Sequence, residues 1–460
     1  GSSAKAQALV TYMVATYAFL AYEGIMRISV AQTSCVWYPL IWVSQAIQAS
    51  LLACGCILPQ CMIQFLLMPL IFIDFIQYSI DRVGWSEVRR KIYGPIFCGL
   101  GRVIYAGYDE VATVLSNPQR RRTYLGRTKL IREKLPEHFL LFESNLPGDT
   151  THNDYRQLIV DGFFGPDSVA RSKDSEALGM SSAFAAAARD SQKKPNTVNG
   201  TVNLPFPKAI VYDFVLRWMH YVVLGIYLKE DDPLISTLKK VLDSYPLRRI
   251  DLACGAPGRC SKAETDEEKA VVAAYLKLSP YLRSLSESTC LAGLVTVRDI
   301  AEQMLAIISL AAYLGSSATL AATFDTNLQS VSVPIENEES LEHFVLEAAR
   351  IFNPVNFINV VLEEPRKHTI GCFTYRFPRG TLGSASILSG SLDPAVFEGP
   401  YEFQWNRDGL AKKTLSFNCV GLQATSTTHG PSSHERACPG RWHALTMVKQ
   451  ALLAYHTLDA

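Results

Sequence analysis

The chain has 460 residues, with 44 Lys+Arg against 43 Asp+Glu, a net charge of +1 and a mean hydropathy of +0.10. A composition of 48% hydrophobic and 19% charged residues excludes a disordered chain, and the balanced charge gives no footprint for a nucleic acid. The 11 cysteines, odd in number and scattered, exclude a disulfide framework and fit thiols kept reduced on the cytosolic side.

The apolar residues are concentrated early. Between Arg27 and Asp74 there is no Asp, Glu, Lys or Arg. A spanning helix needs about 20 apolar residues, so this run has room for two, with Pro59 near the break. Residues 1–80 are expected to form an apolar N-terminal membrane anchor and 81–460 a separate folded domain. The competing reading is a buried helical subdomain. Arg82, Arg89, Arg90 and Lys91 follow at once. By the positive-inside rule they hold the rest of the chain on the cytosolic side. The expected location is the endoplasmic reticulum membrane, with the catalytic domain facing the cytosol.

Beyond residue 92 the composition becomes ordinary. Val103-Ile104-Tyr105 predicts a short strand, and Asp109 to Leu115 a short helix closed by Asn117-Pro118. Arg120-Arg121-Arg122 adds a local basic cluster, read either as a membrane contact or as a solvated loop. Residues 170–203, rich in Ala, Ser, Lys and Asn, read as a mobile connection, and 115–150 and 165–210 as the elements that admit substrate. Leu234 to Leu242, Lys269 to Leu276 and Leu341 to Phe352 have helical periodicity. Leu294 to Phe324 predicts a long buried helix. Residues 366–392 read as turns and short strands, and Arg441 to Leu458 as a closing helix. The fold class is mainly α with small β-sheets.

Cys438-Pro439-Gly440 sits at the head of that closing helix. Free backbone N–H groups and the helix dipole stabilise a thiolate there, the form that ligates iron. Arg436, two residues before, could pair with a haem propionate. Cys254 and Cys260 lack neighbours at zinc spacing and read as a loop. Upstream, Glu347 and Arg350 are one turn apart on a predicted helix. Arg407 closes the segment from Asp393 and could join them in a network that braces the Cys loop.

In this order the elements resemble a cytochrome P450: a long central helix, a Glu-x-x-Arg helix, a meander ending in Arg407, and the Cys438-Pro-Gly440 loop. The wording Ala437-Cys438-Pro439-Gly440-Arg441 is similar to fungal members. Tyr93-Gly94-Pro95 sits where the family's first strand pair begins, and His152-Asn-Asp-Tyr-Arg156 where its third lettered helix meets the propionates. The resemblance implies a P450 fold over about residues 80–460. It implies that Cys438 is the axial ligand of haem b (iron protoporphyrin IX), that Arg436, Arg156 and His152 hold propionates, and that Glu347, Arg350 and Arg407 are structural.

Two departures bear on function. Pro431-Ser432-Ser433-His434 stand where the family has its Phe-Gly-x-Gly. In the central helix, Gly315 and Ser316 stand where oxygen-activating members carry an acid and a Thr, and no acid lies between Glu302 and Asp325. Three functions follow. The first is monooxygenation of a lipophilic small molecule, with electrons from a separate NADPH-dependent reductase and protons through water held by Ser316, Ser317 or Thr319. The second is a hydroperoxide isomerase, dehydratase or peroxygenase that needs neither O2 nor reductase. The third is a haem-binding protein without redox chemistry. No Walker loop or Gly-x-Gly-x-x-Gly fingerprint predicts a nucleotide or flavin domain in the chain itself.

Overall fold

The computed structural model describes residues 37–56, 60–116, 151–192, 208–242, 265–287, 296–310, 315–324, 331–353, 355–422 and 437–457. The chain separates into two compact units: Gly1–Val111 with Asn359–Gly390, and Ala112–Ile358 with Ser391–Ala460.

The first unit is built on a small sheet. Helices α1 (Trp37–Ala53), α2 (Gln60–Ile80) and α3 (Arg82–Tyr93) precede strands β1 (Ile96–Gly99) and β2 (Arg102–Tyr105). From the later segment come β3 (Phe357–Val361), β4 (Arg366–Ile370), β5 (Phe373–Phe377) and β6 (Leu382–Ser386). One sheet has the order β1-β2-β6-β3, and β4-β5 form a separate hairpin. Asp81 caps α3 by accepting from the Gly84 N–H, and Gly94 at φ +90° ends it. Strands β1 and β2 are antiparallel, with Gly99 opposite Arg102. Their turn is Leu100-Gly101, both at positive φ (53° and 70°), as a tight right-twisted hairpin requires.

That turn explains the polar residues of the apolar run. Leu100 is unusual at positive φ, and side chains from the helices hold the turn. The Leu100 N–H donates to Asp74 Oδ2 at 2.8 Å and the Gly101 N–H to Gln48 Oε1 at 3.1 Å. Gln45 Oε1 accepts from the Cys98 N–H at 3.1 Å. Asp74 is also paired with Arg89 at 2.6 Å, and both side chains are buried. Burial pulls the Arg89 pKa down, and the Asp74 carboxylate opposes that shift. The expected anchor is therefore corrected. Residues 37–80 form two helices docked on a sheet, and among the described residues no helix is long and apolar enough to cross a membrane. The part of the expected anchor before Trp37 lies outside the described residues.

The second unit is helical: α4 (Tyr108–Ser116) leads into it, followed by α5 (Thr151–Phe163), α6 (Pro166–Ser172), α7 (Ser175–Gln192) and α8 (Lys208–Leu224). Next come α9 (233–242), α10 (Asp266–Leu278), α11 (Pro280–Glu287), α12 (Val297–Leu310), α13 (Ser316–Thr323) and α14 (Glu338–Ile351). Helix α15 (Ile387–Ser391) ends the later segment of the first unit, and α16 (Leu410–Lys413) and α17 (Arg441–Thr457) belong to the second. The mobile connection expected over 170–203 is corrected: most of it is α7, whose Ala177, Phe184, Ala185 and Ala188 are buried. Its alanines were read as linker composition, but small side chains also let helices approach closely. Helix α17 is pinned from two sides. Lys449 reaches Glu338 and Glu342 of α14 at 3.0 and 3.3 Å, and Gln450 bridges the Trp218 indole N–H and the Ser172 carbonyl.

Candidate functional site

The site grows from the start of α17. Cys438 lies three residues before the helix, half-buried, in a turn whose Arg441 N–H returns to the Cys438 carbonyl at 3.3 Å. The Cys438 N–H donates to the Phe417 carbonyl at 2.7 Å, and Phe417 itself has φ +60°. Arg156 of α5, buried, donates from Nη2 to the Ala437 carbonyl. The thiol is thus held by backbone bonds on both sides of it. Gly440 gives the turn room: a Cβ there would sit a tight 3.1 Å from the Phe164 ring.

His443, one turn into α17, is buried against the Phe164 ring, with centroids 5.5 Å apart. Its Nε2 meets the Ser168 hydroxyl at 2.9 Å, and that hydroxyl donates to the Gly165 carbonyl at 2.8 Å. The Ser168 oxygen is therefore the acceptor and His443 Nε2 carries the proton. Burial, with the Arg171 charge second, lowers the His443 pKa to about 4, so the ring is neutral at pH 7.

Glu347, Arg350 and Arg407 come together. Arg350 makes a two-pronged pair with Glu347, both contacts 2.7 Å, and both side chains are 0% exposed. Arg407 Nε reaches the same carboxylate at 2.9 Å. The remaining donors take backbone carbonyls: Arg350 Nη1 those of Ser391 and Pro400 at 2.8 Å, and Arg407 those of Glu398, Gly399 and Glu402. One buried carboxylate and two guanidiniums thus organise the irregular segment 391–407. The desolvation of the charges is offset because each prong has a partner.

The central helix is described on either side of residues 311–314. Helix α12 ends at Leu310, residues 311–314 lie outside the described residues, and α13 starts at Ser316. Gly315 has φ −78° and ψ −83°, outside the helical well, and its carbonyl accepts from the Thr319 hydroxyl at 3.1 Å. Among the described residues, no atom lies within 4 Å of where a Cβ on Gly315 would stand. Sequence reasoning placed Ser316 in the Thr position. Ser316, in the first turn of α13, and Thr319, one turn on, are both buried. The residue before Thr319 is Ala318, so no acid precedes it in this register either. The Ser317 hydroxyl is buried with no hydrogen-bond partner among the described residues.

His152 lies on α5, with its side chain outside what is described. Arg436 and the segment Pro431–His434 lie outside the described residues, as do Arg120–Arg122, Cys254 and Cys260. Among the described residues no group of three His, Cys, Asp or Glu side chains could hold a metal ion by themselves. The Phe164 and Phe417 supports were missed because a ring facing a glycine and a carbonyl facing an N–H leave no spacing signal in the sequence.

No family model and no curated protein sequence matches the chain. Solved structures do. It is similar to P450BioI in complex with an acyl carrier protein ligated to hexadec-9Z-enoic acid, with a TM-score of 0.54 at 15% identity, over 83% of this chain and 92% of that one. It is similar to a substrate-free cytochrome P450 of Mycobacterium marinum, with a TM-score of 0.52 at 18% identity, over 82% and 86%. It is also similar to the P450 haem domain of Tepidiphilus thermophilus, with a TM-score of 0.55 at 16% identity, over 82% and 87%. Likenesses at this level of identity establish the fold: the chain has the fold of the cytochrome P450 superfamily.

Proposed function

We propose that the chain is a haem-thiolate oxidoreductase in which Cys438 would hold the iron of protoporphyrin IX through its thiolate. The observation that carries this reading is the half-buried Cys438 thiol at the head of α17, fixed through Phe417 and Arg156 within a P450 fold. Gly315 carries no side chain, and among the described residues nothing lies within 4 Å of where its Cβ would stand, which leaves room there for a bound group. When bound, a thiolate-ligated haem supplies O–O bond cleavage.

The chain's own residues then hold and move protons. Arg156 is committed through Nη2 to the Ala437 carbonyl, so its first task is to shape the Cys turn. Propionate contact is left to its other nitrogens and to Arg436. Of the three candidate hydroxyls, Ser316, Ser317 and Thr319, we assign proton handling to Thr319. It donates to the Gly315 carbonyl at rest and can rotate to pass a proton from a water, with Ser317 the next buried hydroxyl along. Monooxygenation consumes one O2, two electrons and two protons, inserts one oxygen atom into a C–H bond of a lipophilic small molecule and releases the other as water. The electrons come from a separate reductase.

Ala318 favours a second reading. A hydroperoxide substrate already carries its O–O bond, needs no delivered proton pair and makes no demand for an acid at that position. The two separate on one pair of assays. An NADPH-supplied reductase should accelerate product formation from an unoxidised lipophilic substrate, and Thr319→Val should cut product formed per NADPH by about tenfold or more, with Thr319→Ser restoring it. Rapid consumption of a fatty-acid hydroperoxide without electrons, unaffected by Thr319→Val, assigns the second reaction.

A further inference from the structure

The fold pairs buried guanidiniums with carboxylates: Arg89 with Asp74, and Arg350 with Glu347. Arg102 is treated differently. It opens β2, and its guanidinium reaches over β6 to β3, yet every group that meets it is neutral. Nε donates to the Leu100 carbonyl at 3.4 Å, and Nη1 donates to Asn359 Oδ1 and to the Ser384 hydroxyl, the latter at 3.1 Å. Among the described residues no carboxylate pairs with Arg102, and its Nη2 has no hydrogen-bond partner. Burial lowers the Arg102 pKa to about 10, with no acid opposing the shift. A guanidinium taken from water without a counter-charge is costly, and a bound anion removes that cost.

The partners of Arg102 are themselves fixed. The Ser384 hydroxyl, 0% exposed, donates to the same Asn359 Oδ1 at 2.8 Å. That oxygen thus takes donors from two strands, and the Asn359 Nδ2 is left with no partner among the described residues. Arg102 Nη2 and Asn359 Nδ2 are therefore unsatisfied donors on side chains already joined by a hydrogen bond. Residues two apart on a strand share a face of the sheet. Val361 accordingly flanks Asn359, and Leu382 flanks Ser384, both half-buried. An inorganic anion gains nothing from these two side chains, whereas a carboxylate with an apolar chain gains from both.

We propose that Arg102 and Asn359 bind the carboxylate of a lipophilic carboxylic acid whose chain lies on Val361 and Leu382. The carboxylate accepts from Arg102 Nη2 and Asn359 Nδ2 and supplies the charge that the fold withholds from Arg102. The site is built wholly within the first unit and does not depend on the haem reading.

The test is equilibrium dialysis of the full chain against dodecanoate and dodecanol, which share a chain and differ in charge. Dodecanoate should bind about tenfold or more tighter than dodecanol and raise the thermal midpoint. Arg102→Gln should remove the difference between acid and alcohol. Because Arg102 also ties three strands, Asn359→Asp is the second variant. It keeps the acceptor for Arg102 and Ser384 and places a carboxylate against the guanidinium. It should weaken dodecanoate by about tenfold or more without lowering the thermal midpoint. Dodecanol should bind alike to the parent and both variants. Equal affinity of the parent for acid and alcohol overturns the proposal. So does a preference for the acid that survives both variants, since the carboxylate is then held elsewhere. Displacement of dodecanoate by an equal concentration of inorganic phosphate also overturns it and makes Arg102 a site for small anions.

Discussion

At the scale of single residues, buried charges and rings carry the sharpest consequences. Glu347 is the only carboxylate paired with Arg350 and Arg407 among the described contacts. Glu347→Ala leaves the fully buried Arg350 guanidinium without its counter-charge, at a cost of about 3–5 kcal/mol. Chemical denaturation should show this as a lowered midpoint with an unchanged slope. A loss below about 1 kcal/mol would mean that the carbonyls of Ser391 and Pro400 suffice for Arg350. His220 and His443 make a pH prediction. Burial lowers both to about 4, from an ordinary value near 6.5. As the pH falls through 6.5 the unfolded chain takes up these protons and the folded chain does not. Stability is therefore fully present above about 6.5, drops between 6.5 and 4, and levels off below, by up to about 3 kcal/mol for each ring. His443→Phe should flatten its share of that slope, measured as the thermal midpoint across the window. An unchanged slope would contradict neutral burial of this ring.

At the scale of elements, the apolar run shows what sequence does and does not disclose. Its length and lack of charge were legible and pointed to lipid. Its sidedness was not, because the partners of Gln45, Gln48 and Asp74 are backbone N–H groups of a turn more than twenty residues away. Asp74 is the decisive residue. Asp74→Asn keeps an acceptor for Leu100 but removes the charge facing Arg89. Asp74→Ala removes both, and should destabilise the first unit by a further 1–3 kcal/mol or so. Hydrogen exchange at the Leu100 and Gly101 amides reads this locally: both should exchange faster in Asp74→Ala than in Asp74→Asn. Equal protection in the two variants would remove the latch from the account. The central helix teaches the same lesson. Its existence followed from periodicity, but the non-helical ψ of Gly315 and the back-bond from Thr319 depend on local geometry that periodicity does not carry. By contrast, Glu347 and Arg350 were legible because three residues along a helix bring two side chains onto one face.

At the scale of the whole molecule, the fold was legible from the order and separation of a few motifs. These are the ones that bury charge or shape a turn: the Glu-x-x-Arg pair, Arg407, and the Cys-Pro-Gly head of α17. Identities of only 15–18% with the solved relatives accompany the same fold. Cores tolerate broad exchange of apolar residues when volume and pattern are kept, whereas an orphaned buried charge is costly. Less legible was the division of the first unit between residues before Val111 and after Asn359. It rests on parallel pairing of β2 with β6, Val103 opposite Gly383, across a separation no local pattern spans. The account converges on the sulfur of Cys438. The most direct measurement is the absorption spectrum of the reduced, CO-bound protein after haem loading. Thiolate ligation predicts a red-shifted Soret band in the parent chain and its loss in Cys438→Ala. A parent protein that takes up no haem, or a Cys438→Ala variant that keeps the band, would contradict it.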